Sequence, residues 1–531
     1  MCYNFLRATA LRKIVNNDYE LLETYKKDKE TWSYLRHKKT GLEIAYHQCE
    51  TQESGFSFTF RTPVEDQYLG TSHVLEHCVL CGSRKYDVDF WELLSFSLYT
   101  SSNAFTDVFS TTYFYKSIEA EDVFKVIPIL ADYVFFPTLS EEAFMQEGFR
   151  VEFDVNGDGR KKDIVSVIYN EMRTRDPNSY CVGGIYYKLH ELTNEKIKEY
   201  HKKYYKPDNC LFSYKGTASL DDVLLQMNKF IPELEDKFKS PQMLQKKNLS
   251  LKDFLKKVAD DEISEDFEIY WSDEEKDFEP DSVPPKKTVT QIIPEYLSKF
   301  TPQEYQEKLE KLHKWQSRNV RETAYKIMAP HNIIDYEIEL NNPEESLWEN
   351  FEKHKQSIES RDKYHPDVYT EINKNSCSLY LRASQLLSRE YYAEYSLMFF
   401  LQYYLPLKLR KLGRIYNGGF FYNYPADFVM TTDSTDKPQK TIEEIKNSFK
   451  EIADYNFTEK DVLSIKYMIY SFLFSQKHPR FYFTEEIFSI KPEELQRAAV
   501  RFRDMIFPSV KPLKDEGEYY RLGDVFKNLK H

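Results

Sequence analysis

The stretch GTSHVLEHCVLCG runs from Gly70 to Gly82. Within it His73, Glu76 and His77 form H-x-x-E-H, the inverse of the H-E-x-x-H metal-binding helix pattern. His73 and His77 are one helical turn apart, so on a helix they leave the same face and can reach one zinc ion. Glu76 flanks that face, where a carboxylate can act on a water at the metal. With 12 His and 86 acidic residues in 531 positions, composition alone yields about 0.04 such patterns. Leu69, His73, Glu76, His77 and Leu80 share one side, and Thr71 or Ser72 is the expected N-cap. A face that mixes leucine with these polar groups points inward or into a cleft, and polar groups buried there need partners, which a metal supplies. The competing reading is two helix histidines beside an ordinary surface glutamate.

Outward from this helix the pattern alternates between strand and helix. TWSYLRHKK, GLEIAYHQ and GFSFTFRT read as strands, the last alternating as a half-buried strand does. FWELLSFSLY reads as a helix and TSSNAFTDVFSTTYFYKSI as two strands. Val123, Ile127, Leu130, Ala131 and Val134 make a helical stripe closed by Pro137, and Ser140 caps SEEAFMQEGFRVEF. In DIVSVIYNEMR the helical face carries Ile164, Val167, Ile168, Glu171 and Met172. A glutamate on an apolar face is costly unless it is paired or ligates a metal. Glu171 is therefore the candidate third ligand, with a boundary glutamate paired to Arg or Lys as the competing reading. Thr193 starts a further helix, CLFSYKG is a strand, and LDDVLLQMNKFIPEL is one more helix.

Composition narrows the class. Charged residues are 30% and aromatics 16% of the chain, which is globular rather than disordered. No apolar run is long enough for a transmembrane helix. Seven cysteines do not make a disulfide framework in so long a chain, and Cys78 and Cys81 read as reduced helix or core thiols. The formal charge of −13 is concentrated: between Asp260 and Asp281 there are 12 acids and one base, Lys276. Nothing in this charge pattern suggests nucleic-acid binding. The N-terminus carries Arg7, Arg12 and Lys13 before its first acid, Asp18, which is compatible with an organelle-targeting segment or a plain helix.

Further on, TPQEYQEKLEKLHKWQSRNVRETAYKIMA reads as a long charged helix capped by Thr301, and PEESLWENFEKHKQSIESRDKY as another. From about 366 the mixed pattern returns: strands in VYTEINKNSCSLYLRASQLL, a long helix in EYYAEYSLMFFLQYYLPLKLRKLG, a strand pair in IYNGGFFYNYPADFVMTTDST, then two helices. The divisions are residues 1–30 as an N-terminal extension, 31–236 as the metal-binding α/β domain, 237–300 as a linker with the acidic run, 301–360 as a helical connector, 361–510 as a second α/β domain completing the site, and 511–531 as a tail.

On HVLEHCVLCGSRKY, SLYTSSNAFT, ADYVFFPTL, FMQEGFRVE, IYNEMR and, downstream, LRKLGRIYNGGFF, the chain resembles the pitrilysin/insulinase metallopeptidases, in the presequence protease branch. The resemblance implies an α+β fold of two pitrilysin-type α/β domains, each a mixed sheet covered by helices, joined by a helical connector. It implies Zn2+ held by His73, His77 and Glu171, with Glu76 as the general base. It implies that Asn103 and Ala104 pair with substrate backbone, and that Arg410 and Tyr416 reach across to the scissile peptide. The implied activity is zinc endopeptidase cleavage of short unstructured peptides, such as cleaved targeting peptides, in a mitochondrion or related organelle, with a cytoplasmic alternative. The branch has four related domains in two halves that close around a chamber. This chain matches the first and last, so it would work as an open peptidase or as a homodimer that rebuilds the chamber. The rival expectations are a catalytically weak zinc-stabilised scaffold and a processing subunit that needs a partner chain.

Overall fold

Phe56, Phe58 and Phe60 alternate with Ser57 and Thr59 along one strand, and all five are buried. The strand expected to be half-buried is thus covered on both faces, with Thr59 and Thr112 hydroxyls 3.0 Å apart on the polar side. The computed structural model describes residues 18–66, 68–153, 162–173, 175, 182–238, 283–328, 367–384, 388–412, 414–415, 417–423, 427–433, 435, 437–475 and 485–508.

The first sheet gathers β1 (Tyr19–Lys27), β2 (Glu30–His37), β3 (Glu43–Gln48), β4 (Ser54–Arg61), β5 (Tyr99–Thr106) and β6 (Ser110–Ser117). Strands β7 (Val151–Phe153) and β8 (Lys162–Ile164) form a separate ribbon, and β9 (Cys210–Gly216) returns to the main sheet. The order is β1-β2-β3-β9-β4-β6-β5. Only β3 and β9 pair in parallel, so the sheet is mixed and β1 and β5 are its edges. The helix Ala120–Phe135 lies over it, placing Phe135 edge-on to Phe58 and Phe60 at 5.9 and 5.3 Å between centroids.

Several expected boundaries move. Strand β1 falls in the stretch read as an N-terminal extension, because eight of its nine residues are exposed and leave no burial pattern to read. The helix in FWELLSFSLY is only Phe90–Leu94, and its end is drawn into β5. DIVSVIYNEMR is helical only over Val167–Arg173, its first residues being taken by β8. LDDVLLQMNKFIPEL breaks into Leu220–Met227 and Ile231–Lys237, since Pro232 fits only the first turn of a new helix. The charged connector is also two helices, Pro302–Gln316 and Arg321–Met328. With the helix Val289–Leu297 they insert Ile292, Tyr296, Tyr305, Leu309 and Leu312 into the same core as the first sheet.

A second core is built on β10 (Val368–Ile372), β11 (Cys377–Arg382), β12 (Asn417–Asn423) and β13 (Asp427–Asp433), in the antiparallel order β10-β11-β13-β12. Helices Arg389–Lys411, Pro438–Ala453 and Pro492–Ile506 contribute Leu397, Leu405, Phe449 and Phe502 to it. The architecture is therefore mixed α and β, with a mixed sheet and many helices. Among the described residues no helix is long and apolar enough to cross a membrane. Residues 1–17, the acidic run Asp260–Asp281, the second connector helix and the tail from 511 lie outside the described residues.

The two cores meet at the C-terminal end of the helix Arg389–Lys411. Arg150, a fully buried cation, donates from Nη2 to the Lys411 carbonyl at 2.8 Å, and Gln316 donates to the same oxygen at 3.0 Å. A guanidinium there satisfies a terminal carbonyl and complements the negative helix end. Ser464 Oγ donates to the Ser95 carbonyl at 2.7 Å, and Arg321 pairs with Asp461 at 2.7 Å across the same boundary.

Candidate active site

The helix Thr71–Val79 begins at Gly70, whose φ of 62° lies in the left-handed region. Neither Thr71 nor Ser72 is the cap: Gly70 holds that position with no side-chain cap. Glycine is required here twice over. A Cβ on Gly70 would stand 2.1 Å from the Gly183 carbonyl oxygen, and the conformation itself disfavours other residues. Gly183 in turn passes so close that its own Cβ would meet Met172 Sδ at 2.3 Å and His73 Nδ1 at 2.8 Å. The chain after the helix Val167–Arg173 is thereby pressed against the start of the His-bearing helix.

That packing brings two helices together at one point. His73 Nε2 lies 3.4 Å and His77 Nε2 3.8 Å from the same oxygen, Glu171 Oε2. The two imidazoles are 4.9 Å apart at 84°, and the ligand atoms of the three residues lie within 4.8 Å of one another. Around a tetrahedral ion with bonds of about 2.0–2.1 Å, donor atoms stand about 3.3–3.5 Å apart, so this donor set fits a zinc ion. All three side chains are buried or nearly so. Glu171 Oε1 meanwhile accepts from Arg175 at 2.6 Å. One oxygen of Glu171 is thus paired to arginine, and the other faces the histidines.

Burial shapes the ionisation of the group. It lowers the affinity of His73 for a proton, against the pull of Glu171. It raises Glu76, against His73 and the hydrogen bond from Thr106. For Glu147 burial acts upward too, but the hydrogen bond with His77 and the charge of Arg410 outweigh it and bring the carboxyl down to about 2.

Glu147 and Thr106 were not singled out by sequence reasoning. Glu147 ends the helix Glu141–Glu147, which Ser140 caps by accepting from Ala143 at 3.1 Å. Its Oε2 lies 3.0 Å from His77 Nδ1. A metal-ligating histidine usually gives its second nitrogen to such a carboxylate, which fixes the tautomer and the ring. The signal was available: Glu147 follows Ala143 and Phe144 by four and three residues, the spacing that marked Glu171 as an acid on an apolar face. Thr106 Oγ1 donates to Glu76 Oε2 at 2.5 Å; nothing in its local pattern announces it.

The remaining candidates surround a small cleft of about 70 Å³ lined by Glu76, His77, Asn103, Ala104, Glu147 and Arg410. Asn103 and Ala104 sit on β5, a sheet edge, and Asn103 is exposed. Arg410 comes from the second core and reaches to 3.7 Å from Glu147 Oε2. Tyr416 lies outside the described residues. Cys78 and Cys81 are buried free thiols, as expected.

Residues 64–166 match the sequence profile of Insulinase (Peptidase family M16). Residues 64–166 are thus similar to an insulinase-family domain. Over a longer stretch the chain is similar to curated presequence proteases. It is 34% identical over 229 residues to "Presequence protease 1, chloroplastic/mitochondrial" of Arabidopsis thaliana, covering 39% of this chain and 21% of that protein. It is 33% identical over 217 residues to "Presequence protease, mitochondrial" of Xenopus laevis, covering 37% of this chain and 21% of that one. The aligned part is thus about a fifth of the length of these relatives. The crystal structure of pitrilysin superposes over 92% of this chain and 43% of its own, at a TM-score of 0.32 and 12% identity. The insulinase-type region holds His73, Glu76, His77 and Glu147, while Glu171 lies just beyond the profile match.

Proposed function

We propose that this peptidase-family protein is a zinc endopeptidase for short unstructured peptides. The observation that carries the reading is the convergence of His73, His77 and Glu171 on one point, with Glu76 on the same helix and facing the cleft. His73, His77 and Glu171 would hold the zinc ion, which would supply Lewis acidity toward a peptide carbonyl. Glu76 takes a proton from the attacking water and delivers it to the leaving amine. Glu147 holds the His77 ring by its Nδ1. Arg410 and Tyr416 are the proposed donors to the developing oxyanion, a contribution of a few kcal/mol in comparable sites.

As a sheet edge, β5 at Asn103 and Ala104 suits an extended peptide added as another strand, which favours unfolded substrates. Cleaved targeting peptides are the proposed class, and an organelle the proposed compartment, on the printed names of the relatives. Pairing of two copies to rebuild a closed chamber belongs to the same proposal and is read from the solution mass.

The test is cleavage of a quenched mixed-sequence peptide by purified protein, with and without chelator, beside Glu76→Gln. Chelator-sensitive cleavage that Glu76→Gln abolishes supports the reading. Undiminished cleavage by Glu76→Gln refutes the mechanism. No cleavage alone but cleavage with a partner chain points to a processing subunit, and none under any condition to a scaffold.

A further inference from the structure

Thr106 stands at the end of β5, the sheet-edge strand that also carries Asn103 and Ala104. Its hydroxyl donates to Glu76 Oε2 at 2.5 Å. Behind it lie two more hydroxyls: Thr111 Oγ1 at 3.4 Å from Thr106 Oγ1, and Thr62 Oγ1 at 2.7 Å from Thr111 Oγ1. Thr62 and Thr111 are fully buried, so this row runs into the protein rather than out to solvent.

We infer that Thr106 is a positioning residue for Glu76, holding one carboxylate oxygen so that the other is presented to the proton it must carry. The inference rests on the peptidase reading above and assigns a residue that reading does not use. It also ties two functions to one strand. The edge that receives an extended peptide carries, two residues beyond Ala104, the hydroxyl that orients the base. A peptide that pairs with β5 stiffens the strand from which Glu76 is aimed.

The experiment compares the parent with Thr106→Val, which keeps the β-branched shape without the hydroxyl, and Thr106→Ser, which keeps the hydroxyl. Steady-state kinetics and crystal structures are collected for each. A general base contributes about 10²–10⁴-fold, and mis-aiming it in Thr106→Val is expected to lower kcat by about tenfold or more with KM within about twofold. Thr106→Ser retains most of the parent kcat. In the Thr106→Val crystal Glu76 leaves its single position. The inference is overturned if Thr106→Val keeps the parent kcat, if Thr106→Ser loses as much as Thr106→Val, or if Glu76 is unmoved in the valine variant. Thr106→Ala, read in the same way, replaces valine should that variant not fold. If the parent cleaves nothing yet Glu76 moves in the variant crystal, the peptidase reading fails and the Thr106 contact stands.

Discussion

His77 Nδ1 lies 3.0 Å from Glu147 Oε2, so the histidine is held from behind by a carboxylate on a different helix. His73 has no equivalent: among the described residues its buried Nδ1 has no hydrogen-bond partner. The two candidate ligands therefore differ in how firmly they are fixed. Glu147→Gln keeps the shape but weakens the grip on the ring. Zinc affinity should fall about 10–100-fold, measured by competition with a coloured chelator. Unchanged affinity would show that Glu147 does not support the ligand.

Gly183 should tolerate no side chain. A Cβ there would crowd Met172 and His73 at 2.3 and 2.8 Å. Gly183→Ala is expected to destabilise the protein by about 1–3 kcal/mol through overpacking and to weaken zinc binding by displacing His73. Denaturant unfolding and zinc titration read the two effects separately. A variant as stable and as tight as the parent would contradict the packing described.

Arg150 fastens the helix that carries Arg410. Its guanidinium donates to the Lys411 and Met145 carbonyls at 2.8 and 3.2 Å and pairs with Glu152 at 2.9 Å. Arg150→Met strands these acceptors, and thermal unfolding should report a loss of about 2–4 kcal/mol. Arg150→Lys should not restore it, because an ammonium cannot serve divergent acceptors as the planar fork does. Full stability in the lysine variant would show that charge alone is enough.

Acid should act on the first core through His201. Burial lowers this imidazole to about 4, against the upward pull of the Val134 carbonyl 2.9 Å from Nε2, from about 6.5 in an unfolded chain. Between these values the unfolded chain binds the extra proton, so stability falls as pH drops from about 6.5 and the loss levels off below about 4. The contribution is about 2–4 kcal/mol. In His201→Gln the slope of stability against pH over this window should shrink by that amount. An unaltered slope would assign the acid sensitivity elsewhere.

The sequence was most legible where one period ran uninterrupted. The stripe in Ala120–Phe135 and the H-x-x-E-H spacing both fall on helices of the expected phase. It was least legible where tertiary pairing overrode the local pattern. Exposed residues of β1 carry no alternation, and Lys162–Ile164 leaves the helical pattern to pair with β7. Gly70 as helix start is invisible from composition, because its need comes from Gly183, over a hundred residues away. Glu171 was singled out by its apolar face, and the structure sets it beside both histidines. Glu147 bears the same mark, but only the fold brings it behind His77. Thr106 had no mark at all, since its role arises from the crossing of β5 and the His-bearing helix.

Anomalous diffraction at the zinc edge, from crystals of zinc-loaded parent protein, tests the central claim most directly. The account predicts a peak within bonding distance of His73 Nε2, His77 Nε2 and Glu171 Oε2, lost in Glu171→Ala. A zinc-loaded, peptide-cleaving protein with no peak among these three side chains would contradict it.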